Sequence, residues 1–153
     1  MIKQEDDGLW IVLKETIAVH HDELFDCFRM AGGLTRWFPV AADVDPRPGG
    51  MLVLGWDKNF ERKTTVAILD YDPGGMMTWD WYPGVGDTHA PIYWLIEPSV
   101  EDGSKVTMRQ GPYKDDRDSL IVMASESSSW CWSLCNLRSV MEVSHDMRRI
   151  RPL

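Results

Sequence analysis

Cysteine is scarce in this chain, basic residues are outnumbered, and no long apolar run occurs; each shortage removes a class of protein. The three cysteines are Cys27, Cys131 and Cys135. An odd number with two members one helical turn apart is no disulfide framework, and no further ligand at suitable spacing completes a metal site with Cys131 and Cys135. They read as reduced thiols. Lys and Arg number 16 against 24 Asp and Glu, a formal net charge of -8, so a phosphate-binding surface, which needs clustered cations, is disfavoured and no nucleic-acid partner is expected. The one basic cluster, Arg148, Arg149 and Arg151, reads as a solvated tail end. No stretch approaches the roughly 18 consecutive apolar residues of a membrane span. The opening MIKQEDDG is acidic and polar, unlike a secretory signal, so a cytoplasmic protein is the expectation.

Sequence motifs for cofactors and nucleophiles are also missing. There is no G-x-S-x-G, and the serines of Ser125–Ser129 read as a helix start. RPGG at Arg47–Gly50 and DPGG at Asp72–Gly75 read as hairpin turns with no helix behind them, not as phosphate loops, so no nucleotide cofactor is expected. His20 and His21 are adjacent, which places them on opposite sides of an extended chain, and no HExxH pattern exists. Neither a metal nor any other cofactor is expected.

What the chain does have is tryptophan and methionine: eight and nine in 153 residues, with 44% hydrophobic residues overall. That length suits a single domain, residues 1–153 with a tail from about 144, large enough to bury a core without staples. Trp and Met supply wide, adaptable apolar surface that serves equally in a core or around a cavity. The longest helical pattern covers Ser125–Val143. Within it Trp130, Leu134, Leu137 and Met141 follow at steps of four, three and four, with Met123 upstream, and form one stripe that must be covered. Trp132 and Val143, with Val140 at the edge, lie off that stripe; an outward Trp is a candidate contact with a second subunit, and the reading leans to a homodimer.

Before that helix the chain reads as strands. Leu9–Val19 is β-branched and apolar without Gly or Pro; Leu9, Ile11, Leu13, Ile17 and Val19 share its inner face. A short helix starts at His21 or Asp22 and is broken by Gly32 and Gly33, and a second spans Leu34–Phe38. Strands follow at Met51–Trp56, Lys63–Tyr71, Met76–Tyr82, Pro91–Pro98 and Lys105–Gly111, joined by turn-rich segments including Gly84–Ala90 and Glu101–Gly103, and Pro112–Asp118 reads as a charged loop. The predicted class is α+β: a curved antiparallel sheet wrapped around the long C-terminal helix, with two short helices after the first strand.

The ordered set LTRWF (Leu34–Phe38), RPGG, DPGGMMTWDW (Asp72–Trp81), GSKVTMRQG (Gly103–Gly111) and W-x-x-x-L-x-x-L from Trp130 resembles the family named for the activator of the heat-shock-protein-90 ATPase. That family belongs to the START-related helix-grip superfamily, also called SRPBCC or Bet v 1-like. Ser129 stands where the family often has Gly. The resemblance implies a helix-grip fold and an internal cavity, with ligands across the superfamily that range over lipids, sterols, polyketides and hormones.

Strand alternation predicts that Leu54, Trp56, Met77, Trp79, Trp81, Trp94, Met108, Gln110, Trp130 and Leu134 face one enclosed space. So many indoles favour a small hydrophobic or aromatic ligand. The leading expectation is binding of such a molecule without chemistry. The first alternative is an enzyme of cyclase or hydrolase type on an aromatic or polyketide-like substrate, with His89 as the proton-handling group in a mouth loop, near Gln110, Tyr113 and Arg109. The second is a chaperone- or stress-related interaction module that works through its outer surface.

Overall fold

The computed structural model describes residues 1–84, 89–100 and 103–150. The middle of the expected Gly84–Ala90 loop, part of the Glu101–Gly103 turn, and Arg151 lie outside them. A strand β1 (Ile2–Glu5) and a longer strand β2 (Gly8–Ile17) open the chain, followed by helices α1 (His21–Arg29) and α2 (Ala31–Leu34). Strands β3 (Ala41–Val44), β4 (Met51–Gly55), β5 (Lys63–Asp72), β6 (Met76–Asp80), β7 (Ile92–Ser99) and β8 (Gly103–Tyr113) then form a meander, and helix α3 (Arg117–Val143) closes the fold with a short 3-10 turn at Met147–Arg149. All eight strands belong to one antiparallel sheet in the order β1-β2-β8-β7-β6-β5-β4-β3. This is the helix-grip architecture: a curved α+β sheet with α3 on its inner face.

The alternation that predicts the sheet is present strand by strand. Ile92, Trp94 and Ile96 of β7 are buried while Tyr93 and Leu95 face out, and in β8 Ser104, Val106, Met108 and Gln110 point inward. Leu52 and Leu54, Val66 and Ile68, and Met77 and Trp79 continue the same buried surface across β4, β5 and β6. Trp130, Leu134 and Leu137 of α3 press onto it. Each such side chain removed from water stabilises the fold by about 1.5–3 kcal/mol before the entropy of ordering it is counted.

Several boundaries differ from those expected. β1 and β3 were not foreseen, because IKQE and AADV lack an apolar face; both are sheet edges, where only one side must pair. β1 is also held on the outer face. Arg109 donates two hydrogen bonds to Glu5, at 2.9 and 2.8 Å, and lies 4.6 Å over the ring of Trp10, which packs 5.7 Å from the outward-facing Tyr93. Arg109 therefore faces away from the helix. The glycines expected to break the first helix are inside α2: α1 ends at Arg29 with Met30 as its C-cap, and Gly33 is needed because a Cβ there would collide with the Asp26 carbonyl. The indole of Trp37 then donates to the Cys27 carbonyl at 2.9 Å and fixes the corner.

Helix α3 begins two turns before the expected start. Its N-cap is Asp116, whose carboxylate accepts from the Ser119 amide at 2.8 Å, so the serines of Ser125–Ser129 sit within the helix and the Pro112–Asp118 segment runs from β8 into its first turn. The extra turns carry Val122 and Met123 into a smaller cluster with Leu9, Ile11 and Tyr113, and tertiary burial outweighs the weak helix preference of serine. No helix among the described residues is long and apolar enough to cross a membrane.

Candidate functional site

Strand pairing gives the sheet two unlike ends. Phe25 of α1 stacks 6.0 Å from Tyr71, late in β5, and Phe28 lies 4.9 Å from Trp94, so α1 closes that end. At the other end β4 and β6 both run out against the first half of β5, with Gly55 opposite Lys63 and Asp80 opposite Ala67. Trp56 and Trp81 each stand one residue past their strand, beyond the cover of α1. There the structure holds a cleft of about 780 Å³ whose apolar walls are Phe38, Val40, Trp56, Trp81 and Trp130.

The rings meet at interplanar angles of 46° to 79°. Phe38 lies 5.4 Å from Trp56 and 5.0 Å from Trp130, and Trp130 lies 5.1 Å from Trp81 at 67°. Trp56 is tied through its indole N–H to the Thr64 hydroxyl at 3.0 Å.

A carboxylate stands among these rings. Oε2 of Glu126 accepts three hydrogen bonds, from Gln110 Nε2 at 2.9 Å, Trp81 Nε1 at 3.1 Å and Trp130 Nε1 at 3.2 Å. The amide oxygen of Gln110 and the hydroxyl of Tyr113 are buried beside this node without a hydrogen-bond partner among the described residues. Burial, then the charge of Glu126, pushes the Tyr113 phenol well above its ordinary pKa, so it stays protonated.

The opposite wall is held by the tail. Arg148 donates to the carbonyls of Thr35 (2.8 Å), Phe38 (3.0 Å) and Pro39 (2.9 Å), and to both carboxylate oxygens of Asp146. Asn136 of α3 joins the set: its amide donates to the Trp37 carbonyl at 2.9 Å and to Asp146, and its oxygen accepts from the Met147 amide at 2.7 Å. The hydrogen bonds from Arg148 hold the Asp146 carboxyl down at about 2 although burial opposes them. The chain reaches this clasp because Ser144 ends α3 in a left-handed conformation, φ 56°, and turns the backbone back toward Phe38.

The residues expected to line one enclosed space therefore divide. Trp56, Trp81 and Trp130 line the cleft. Leu54, Met77, Trp79, Trp94, Met108, Gln110 and Leu134 are at most 1% exposed and fill the interior behind it. Phe38, Glu126, Asp146 and Arg148 are cleft residues that the sequence reading did not select, and Arg148 corrects the expectation of a solvated tail, since its side chain is 16% exposed. His89 stands outside the cleft walls. Its Nδ1 is 3.0 Å from Asp80, its ring packs 3.9 Å from Tyr82, and its side chain is half exposed. Trp132 is half-buried on the outer side of α3.

Thiols and histidines add nothing to the cleft. Burial raises the Cys27 thiol to about 11, while Cys131 and Cys135 are exposed on α3. His20 and His21 lie together rather than apart, rings 4.4 Å from centre to centre, because His20 caps α1 by accepting from the Asp22 amide and His21 begins the helix. With Asp22 they are the one described group whose ligating atoms all lie within 4.8 Å of one another. His20 and Asp22 of that group are exposed and His21 is half-buried; the group sits at the positive end of a helix and already spends one imidazole nitrogen on the cap, so no metal centre is assigned to it.

A curved antiparallel sheet gripping a long C-terminal helix is the helix-grip architecture of the SRPBCC class. Within that class the chain belongs to the family described as activator of Hsp90 ATPase homolog 1-like protein, whose profile matches residues 18–142. Solved structures share the fold at low identity. Protein SSP2350 from Staphylococcus saprophyticus superposes with a TM-score of 0.76 at 17% identity, over 91% of this chain and 96% of that one. An Aha1 dimer from Colwellia psychrerythraea gives 0.72 at 15% identity, over 88% and 96%. DynU16, from the dynemicin biosynthetic locus, gives 0.73 at 14% identity, over 93% of this chain and 49% of that one. No curated protein sequence matches the chain significantly.

Proposed function

We propose that the protein binds a small, flat, hydrophobic molecule in the cleft framed by Phe38, Trp56, Trp81 and Trp130, in a cytoplasmic setting. The observation that carries this reading is the cleft itself: about 780 Å³ walled by indole and phenyl rings, within the ordinary size range of small-molecule sites. A filled core needs no such space, and the chain already has a filled core a few ångströms away around Trp79 and Trp94. Likeness to a protein from a biosynthetic locus is in keeping with a small-molecule partner.

The test is native mass spectrometry of the purified protein followed by denaturation, with tryptophan fluorescence read as aromatic compounds are added back. Release of an apolar compound that rebinds and quenches the indoles is the expected result. No released compound, and unchanged fluorescence across a broad panel of aromatics and lipids, would remove the reading.

A second reading, homodimerisation through the outer face of α3, has its own support. Ile121, Trp132 and Val143 recur every eleven residues, three helical turns, and so form one outward line; Ile121 and Val143 are 60% and 69% exposed. A relative of the same fold is described as a dimer. Light scattering should then give twice the chain mass, and Trp132→Lys should halve it; a monomer at 100 µM would refute this reading.

A further inference from the structure

We infer that Glu126 makes the cleft selective for aromatic molecules that carry a neutral hydrogen-bond donor, phenols and aryl amines, over the bare hydrocarbon and over the aryl carboxylate. This rests on the cleft being a ligand site, as proposed above, and assigns the chemical class of its occupant.

The argument lies in the two oxygens of one side chain. All three protein donors converge on Oε2, at 2.9, 3.1 and 3.2 Å. Oε1 receives no hydrogen bond from any described residue, and unlike Gln110 Oε1 and the Tyr113 hydroxyl it is not sealed in the interior. Glu126 lines the cleft, and with Oε2 taken up by the three protein donors, Oε1 is the oxygen left to meet a ligand there. A carboxylate oxygen only accepts hydrogen bonds. The polar group that a ligand meets beside Trp81 and Trp130 is thus an acceptor with lone pairs that no described residue uses, and a hydroxyl or amino hydrogen matches it. A second carboxylate would meet like charge there.

The cations near the opening do not reverse this. Arg148 spends its donors on Asp146 and on three carbonyls, so it is a fixture of the wall. Arg62 and Arg149 are exposed at the rim, where screening weakens their pull on an anion. Buried hydrogen bonds to a charged group separate good from bad partners more sharply than rim charges do.

The three donors also fix what a substitution would do. In Glu126→Gln the amide oxygen must take the place of Oε2, since two indole N–H groups and the Gln110 amide point at it. The amide NH₂ then replaces Oε1. The atom offered to the cleft changes from acceptor to donor while the side chain keeps its shape.

Calorimetric titrations of naphthalene, 2-naphthol and 2-naphthoate into the wild-type protein and Glu126→Gln test this, with the Trp81 and Trp130 indole N–H resonances followed by NMR to locate binding. The wild-type protein should bind 2-naphthol about tenfold or more tightly than naphthalene, and 2-naphthoate most weakly. In Glu126→Gln the naphthol advantage should vanish and 2-naphthoate should gain. Equal affinity of the wild-type protein for naphthalene and 2-naphthol would overturn the inference and leave the aromatic cleft standing. Tightest binding of 2-naphthoate would also overturn it and transfer selectivity to Arg62 and Arg149. Failure of all three compounds to shift either indole would remove the ligand site and the inference with it. The wild-type ratios decide the matter even if the variant does not fold.

Discussion

Trp79 and Trp81 are two residues apart and point to the same side of the sheet, yet they do different work. Trp79 is within β6, 5.2 Å from Trp94 and 6.4 Å from Phe28, with no exposed surface and no partner for its indole N–H among the described residues. Trp81 is past the strand end, half-buried, bonded to Glu126 and open to the cleft. The same residue type at the same parity becomes core or wall according to whether α1 reaches over it. Strand alternation decides which face a side chain takes; how far the cover extends decides what that face is for.

That contrast can be broken most directly at Trp79. Trp79→Ala should cost about 3–5 kcal/mol in urea unfolding, because the tightly packed ring leaves a cavity that its neighbours cannot fill. A loss under about 1 kcal/mol would mean that the interior is as loosely filled as the cleft. Next in size is the clasp. Arg148→Met leaves Asp146 without its charged partner and three carbonyls without a donor, and should lower stability by about 2–3 kcal/mol in the same assay. Its effect on ligand affinity should be at least as marked, since Phe38 loses its tie.

Acid gives a slightly smaller effect with a definite sign. Asp146 has a carboxyl pKa of about 2 in the folded chain against an ordinary 3.8, so its contribution is complete above about pH 4 and is lost as pH falls toward 2. The loss should be on the order of 2 kcal/mol, read as the urea midpoint at pH 5 and at pH 2.5, and Asp146→Asn should flatten that acid limb. Smallest in stability is Trp56→Ala, at about 1 kcal/mol, because the ring is half-buried. It should nevertheless weaken aromatic binding about tenfold. Equal losses of stability in Trp56→Ala and Trp79→Ala would erase the distinction between wall and core.

The fold was legible because most of its information is alternation: β4 to β8 each place two or more apolar residues inward, and no other period fits. β1 and β3 were not legible because an edge strand is defined by its neighbour's free hydrogen bonds rather than by its own side chains. The start of α3 was hidden by serines, in a stretch that the Asp116 cap opens and that Val122 and Met123 bury against Leu9, Ile11 and Tyr113. The three cleft tryptophans, Trp56, Trp81 and Trp130, were readable as large inward residues. Glu126 was not, since a single acid in ESSSW looks like a solvated helix face until the registers bring Trp81 and Gln110 to it. Asn136 carried a faint signal, a polar residue between Leu134 and Leu137 on the inner side of the helix, whereas Arg148 carried none, because its partners are carbonyls more than a hundred positions earlier.

Those carbonyl partners have a consequence for how the protein can change. Arg148 grips the backbone of Thr35, Phe38 and Pro39 and ignores their side chains. Mutation can therefore exchange the ring at Phe38, or the residue at Val40 beside it, without loosening the clasp that holds the segment in place. The latch is indifferent to what it displays, and new specificities can be drafted on this wall while the frame that carries them is inherited unchanged.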